Sequence, residues 1–178
     1  ARRGGLAGAP AAPQGGGQDE RDRRAGEEDQ GDARGEEQQH RAGGHHGSDN
    51  DNNYELFSAS GMDFIIIHFE YDTTPEQDVL DWADNLLTIY SDRRAILSTH
   101  YMINTGNPGS WGAQGQAIYN ALSDHPNLFL MLGGHVPGEG RRQDTAVNGN
   151  VVNTLLSDYQ GRANGGNGWL RIMTFSPA

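Results

Sequence analysis

The stretch 62–101, "MDFIIIHFEYDTTPEQDVLDWADNLLTIYSDRRAILSTHY", decides the fold. It opens with a short apolar run rich in Ile and Phe, the pattern of a buried strand. Thr74 then stands where a helix N-cap belongs, Pro75 suits the first helical position, and Gln77 completes a capping box. Val79, Leu80, Trp82, Ala83, Leu86 and Leu87 repeat at helical spacing and predict one apolar face. "RRAILSTHY" (93–101) reads as a second strand. One strand, one helix and a second strand make a βαβ unit, whose strands run parallel with a right-handed crossover.

Working outward, the pattern repeats once. The Gly/Asn/Pro loop "NTGNPGSWG" (104–112) leads to a predicted helix over 113–123, with Ala117, Ile118 and Leu122 facing inward. "NLFLML" (127–132) is a third strand. Near-continuous apolar strands fit a sheet covered on both faces. The end differs: "NVVNTLLSDYQ" (150–160) and "GWLRIMTFSP" (168–177) read as two strands around the loop "GRANGGNG", with antiparallel pairing expected. The fold class is therefore α/β.

Residues 1–50 have another texture. Leu6 is their only large apolar side chain, so the segment cannot bury enough surface to offset chain entropy, and a low-complexity, disordered tail is expected there. The foldable part is 51–178. His40, His45 and His46 lie in the tail, where solvated low-complexity sequence is the simpler reading than a metal site.

The totals exclude several functions. The chain of 178 residues has a net charge of -11, and every basic residue is Arg. That balance argues against a nucleic-acid backbone as partner. With no cysteine there is neither a disulfide framework nor a thiolate metal site. No apolar run approaches the roughly 20 residues of a membrane span, and no signal-peptide apolar region stands at the start.

The histidines carry the chemistry. In open α/β sheets ligands collect beyond the carboxyl ends of parallel strands. His100 sits at that end of the second strand, and His135 just past that end of the third. Two imidazoles at equivalent strand ends could share a divalent ion, while each could equally be a hydrogen-bonded structural residue. The Gly133-Gly134 pair permits a sharp turn and close approach. His68 reads as structural, and His125 suits a helix C-terminus. Ser98 has no nucleophile elbow around it, which disfavours a serine hydrolase. Glu139, Arg141 and Arg142 either hold a phosphate or solvate a loop. Asp158 either orients a ligand histidine or closes a turn. No catalytic residue can be assigned.

"AILSTHY", "LFLMLGGHV" and "GEGRR" resemble the later motifs of calcineurin-like metallophosphoesterases. "NDNNYELFSASGMDFIIIHFEYD" and "LLSDYQGRANGGNGWLRIMTFSP" are similar to a bacterial, often secreted, branch of that family, and the resemblance covers about 44–178. It implies a four-layer α/β/β/α sandwich, a dinuclear centre of Mn, Fe or Zn, hydrolysis of a phosphomonoester or phosphodiester by metal-activated water, and an extracellular or periplasmic location. It implies that His100 and His135 bind the second metal. The first metal's histidine falls at Pro137, which has no side-chain ligand atom. The family's upstream Asp-x-His, Gly-Asp and Gly-Asn-His motifs have no counterpart in a suitable setting; the Gly-Asp of "GDARG" (31–35) has no strand before it. The chain is thus expected to be the C-terminal half of such a domain behind an unrelated tail whose composition reads as a frame out of register, with weak or no activity. The alternative is a non-catalytic binding module on a degraded phosphoesterase scaffold. Half of a doubly covered sheet also implies self-association through exposed sheet surface.

Overall fold

The computed structural model describes residues 40–176, with side chains from residue 43 onward. Of the tail expected over 1–50, residues 1–39, including "GDARG", and the side chain of His40 lie outside the described residues. The fold is α/β: the described residues form one nine-stranded mixed sheet with two helices packed on the same face.

Strands β1 (His40–His45), β2 (Asn53–Ala59) and β3 (Met62–His68) form an antiparallel meander. β1 lies upstream of the boundary placed at residue 50, so the sheet starts inside what reads as tail. Its composition hides it: "HRAGGH" carries no apolar side chain larger than Ala. The β2–β3 turn is Ser60-Gly61, both at positive φ, the geometry of a tight hairpin. Helix α1 (Gln77–Ile89) then crosses to β4 (Arg94–Ser98), which pairs parallel with β3. Leu80, Ala83, Leu86 and Leu87 of α1 are buried, as the spacing predicts. The capping box does not form. The helix begins after Glu76 without a side-chain cap; the Thr74 backbone N–H donates to Asp72, and Gln77 donates to Asp81 instead. Two carboxylates close by outcompete the box.

After β4 the chain makes a hairpin, β5 (Ile103–Gly106) and β6 (Gly109–Trp111), from the loop sequence 104–112. Helix α2 (Ala113–Leu122) buries Ile118 and Leu122, but also Gln114 and Gly115 rather than Ala117. A methyl group on Gly115 would lie 2.1 Å from the Met102 carbonyl oxygen, so the helix can sit this close only with glycine there. β7 (Leu128–Gly133) pairs parallel with β4.

Two expectations for the last third fail. The stretch after His135 is not a loop: Gly138–Thr145 is strand β8, antiparallel to β9 (Val151–Asp158), which itself runs parallel to β7. The antiparallel partner of the 150–160 strand is therefore β8. Residues 168–176 form no strand. The final order is β1-β2-β3-β4-β7-β9-β8-β5-β6, so β4 and β7 lie near the middle.

The helix-side core contains Ile65, Ile67, Leu97, Leu128, Met131, Val152 and Leu156, together with both helices. The other face bears Phe64, Ile96 and Leu130, ringed by half-buried Phe57, Ile66, Phe129, Leu132 and Leu155. No layer of helices covers that face among the described residues; Phe175 of the C-terminal segment rests on Phe64 and Phe129 at 6.0 and 5.8 Å between ring centres. The described residues thus make two layers, not the four that the resemblance implies. Among them no helix is long and apolar enough to cross a membrane.

Candidate metal centre

The parallel β4–β7 pairing sets Ser98 opposite Leu132 at the carboxyl rim of the sheet. Beyond it the two chains stay tied: the Thr99 N–H donates to the Leu132 carbonyl at 3.2 Å, and the Gly134 N–H to the His100 carbonyl at 2.9 Å. Those bonds hold residues 100 and 135 side by side. Gly133 permits the approach, because a methyl group there would lie 2.8 Å from the Met102 nitrogen; Gly134 has open space to 3.8 Å.

The two imidazoles converge. His135 Nδ1 and His100 Nε2 are 2.8 Å apart, with ring centres at 4.7 Å and planes at 72°. Both side chains reach solvent. His135 adopts φ +71, a conformation uncommon for a residue with a Cβ. Such strain persists where surrounding structure imposes it, and it gathers at functional sites. Tyr71 stacks against His135 at 5.8 Å and meets His100 edge-on at 5.1 Å; Tyr101 lies 4.8 Å from His135. The Tyr101 hydroxyl donates to Asn104 at 2.9 Å, which fixes its ring. The two tyrosines fence the histidine pair, and neither was legible as a site residue in the sequence.

Two ring nitrogens on one ion at ~2.1 Å lie roughly 3.0–3.4 Å apart in octahedral or tetrahedral geometry. The observed 2.8 Å hydrogen-bonded contact is close to that, and imidazole nitrogens are common ligands of such ions, so the pair fits as two ligands of a divalent ion. Among the described residues no group of three or more His, Asp or Glu side chains is placed to hold a metal. Pro137 follows on the same loop, exposed and packed near Gly161.

The other sequence candidates go elsewhere. Arg142 donates to both Asp144 carboxylate oxygens at 2.6 Å and to the Gly109 carbonyl at 2.8 Å, and stacks 4.3 Å over Trp111. The adjacent Asp144 holds its guanidinium proton more tightly still. Arg142 is a clamp between β8 and the β5–β6 hairpin. Arg141 points to the opposite face, paired across from Leu155, and Glu139 faces Arg162 at 3.9 Å. The three do not form a phosphate cradle. Asp158 accepts from Gln160 and closes a turn. His125 bonds Asp84 of α1 at 2.8 Å. Ser98 and His68 pair across β3 and β4 without contact to the histidine pair. His46 lies edge-on to Trp82 at 5.7 Å.

A cavity of about 350 Å³ opens beside Tyr71. Asp49, Glu70, Asp72 and Glu76 contribute to its walls with Phe69 and Val79, and no arginine lines it. Gln114 closes its floor, bonded to Thr99 and to the Glu70 carbonyl.

No family model matches the chain, and no solved structure matches it. The chain is similar to a protein from Bacillus subtilis (strain 168), "Uncharacterized protein YvnB", at 31% identity over 144 residues. The match takes in 75% of this chain and 11% of that protein, so the chain spans about a tenth of the length of the curated relative it matches.

Proposed function

We propose that this chain carries part of a metal-dependent phosphoesterase site, in which His100 and His135 hold one divalent ion of the Mn, Fe or Zn type. The observation that carries the reading is the meeting of the two imidazoles at the carboxyl rim of β4 and β7. The four-layer sandwich belongs to the same proposal, with the described sheet as one of its two β layers. When bound, the ion supplies Lewis acidity toward a phosphoryl oxygen and an activated water.

The chain's own residues do the rest. Tyr71 and Tyr101 restrict rotation of the two rings, so the ligand nitrogens stay aimed at one point. The carboxylate-lined cavity repels the anionic phosphoryl group and leaves room for a neutral or cationic leaving group. Two protein ligands are fewer than the three of a typical catalytic zinc site, so binding is weak and turnover slow.

Isothermal titration with Mn²⁺ or Zn²⁺ tests this. We expect about one weakly held ion per chain, lost in His100→Ala and in His135→Ala, with affinity falling as pH falls because the ligands must be neutral. Stoichiometric binding untouched by both variants would end the reading. Hydrolysis of a chromogenic phosphodiester should be close to background; fast turnover abolished by His100→Ala would show the site to be complete. Pro137 favours a second reading, a non-catalytic binding module on a degraded scaffold, since the position that would serve the other metal has no ligand atom. Stoichiometric metal binding that depends on His135 discriminates against it.

A further inference from the structure

The cavity beside Tyr71 carries an amide whose donor end is unspent. Asn52 lines it and is only 9% exposed, so its side chain is nine-tenths buried. The Asn52 Oδ1 accepts the Glu70 backbone N–H at 3.0 Å, which orients the amide. Its NH2 group makes no hydrogen bond among the described residues and is left to the cavity. Two N–H donors there call for an oxygen on a ligand. A donor this covered is costly to leave without an acceptor.

The walls specify the rest of that ligand. Asp49, Glu70, Asp72 and Glu76 pair with no cationic side chain among the described residues. Asp49 and Asp72 accept only backbone N–H groups, from Asp51 and Thr74, which leaves their charge in place. His46, the basic side chain in the wall, turns to Asp78 at 3.7 Å. The space is therefore selective for cations. A metal ion does not suit it, because no three His, Asp or Glu side chains among the described residues are grouped to hold one. An organic ammonium, with its charge and its hydrogen-bond donors, does. About 350 Å³ has room for roughly a dozen non-hydrogen atoms at the ~30 Å³ a water molecule occupies in the liquid. A hexosamine is that size. Its ring hydroxyls supply the oxygen for Asn52, and Phe69 and Val79 give its carbon–hydrogen face an apolar wall.

We propose that this cavity binds a hexosamine unit with a free, protonated amino group, as the sugar part of a phosphoester held at the histidine pair. Tyr71 joins the two places: it lines the cavity and lies 5.1 Å from the His100 ring and 5.8 Å from the His135 ring. The placement of the phosphoester rests on the phosphoesterase reading above, whereas binding of the sugar itself does not. The carboxylates hold the ammonium, the Asn52 amide holds a ring hydroxyl, and the phosphoryl group stays outside the negative walls, toward the imidazoles.

Titration of the full chain, free of metal, with glucosamine at mildly acidic pH tests this, followed by NMR. We expect saturable binding with about millimolar affinity, as befits so small a ligand. Glucose and N-acetylglucosamine, which lack the charge, should bind roughly ten-fold more weakly, and cyclohexylamine, which lacks the hydroxyls, about five-fold more weakly. Glu70→Gln and Glu76→Gln should each weaken glucosamine about five-fold. No saturation by about 20 mM glucosamine overturns the proposal. Equal binding of glucose overturns the cation, and equal binding of cyclohexylamine overturns the sugar. Indifference to both glutamine variants would mean attraction to the chain's net charge of -11 rather than a site, and overturns the location. With Mn²⁺ added, a glucosamine phosphate should bind about ten-fold tighter than the corresponding glucose phosphate. If glucosamine binds and the metal titration of His100 and His135 fails, the phosphoesterase reading falls and the sugar site stands. If both bind and the two phosphates do not differ, the placement beside the histidine pair is overturned.

Discussion

The two faces of the sheet are made from the same strands and the same residue types, yet only one is finished. On the helix side Ile65, Ile67, Leu97, Leu128, Met131 and Leu156 have no exposed surface. On the other, most apolar side chains keep part of theirs. Strand alternation writes both faces into one string of letters, so "FIII" encodes two cores at once. The described residues supply two helices for one of them and a single crossing segment for the other. Covering the second face is therefore a job for something beyond these elements.

Neighbouring isoleucines on β3 make the sharpest test of that contrast. Ile67 points into the helix-side core and Ile66 to the other face. Ile67→Ala should cost about 3–4 kcal/mol in urea unfolding, the loss of transferred surface plus an unfilled cavity. Ile66→Ala should cost about 1 kcal/mol in dilute solution, because its environment is half open. Equal costs would show that the second face is covered after all.

The glycine pair at the rim sets a second contrast, smaller in energy. Gly133→Ala forces a methyl group into the Met102 backbone and should cost about 2 kcal/mol. It should also abolish metal binding by moving residue 135 away from His100. Gly134→Ala meets nothing closer than 3.8 Å and should change stability by no more than about 0.5 kcal/mol. Calorimetric metal titration of both variants separates a geometric requirement at the site from a tolerance for any small residue.

These residues also show what the sequence could convey. The βαβ units were legible because long apolar strings and a 3.6-residue period are local signals, and both predicted helices form close to their expected limits. The positions of His100 and His135 at strand ends were legible for the same reason. Their convergence was an expectation that rested on the two strands being neighbours, which needs β4 beside β7, a pairing across residues far apart in sequence. Strand β8 was unreadable because "GEGRRQDT" has no apolar face; Gly140 is buried by backbone approach and Arg142 is half-buried by its clamp, so the inward positions hold no hydrophobic letter. The error at 168–177 is the reverse. "GWLRIMTFSP" has strand-like alternation, but no sheet edge among the described residues pairs with it. Tyr71 and Tyr101 carried no motif at all.

That unpaired segment gives the third contrast. Phe175 anchors it to the sheet, meeting Phe64 and Phe129 edge to face, and it remains 39% exposed. Phe175→Ala should cost about 1 kcal/mol or less, an aromatic pair's worth rather than a core residue's. A cost above about 2 kcal/mol, measured in urea, would mean that the segment is an integral layer and that the second face is closed by the chain itself.

The smallest effect lies at the margin of the finished face, where β2 meets the end of α1. The Tyr54 and Tyr90 hydroxyls are 3.3 Å apart. The hydrogen bond to Tyr90, helped by burial and by the neighbouring phenol, pushes the Tyr54 phenol up to about 12. An unfolded tyrosine ionises near 10. Between those values the unfolded chain releases its proton first and is favoured, so this contribution is intact below pH 10 and is lost as pH rises toward 12. Most of the side chain's surroundings are open to solvent screening, which keeps the effect modest. Tyr54→Phe has no proton to lose, so its stability should decline less steeply than wild type across that window, with the two curves parallel below pH 9. Identical slopes from pH 10 to 12 would show that the β2–α1 margin opens before Tyr54 titrates, and that the covered face is no tighter at its edge than the uncovered one.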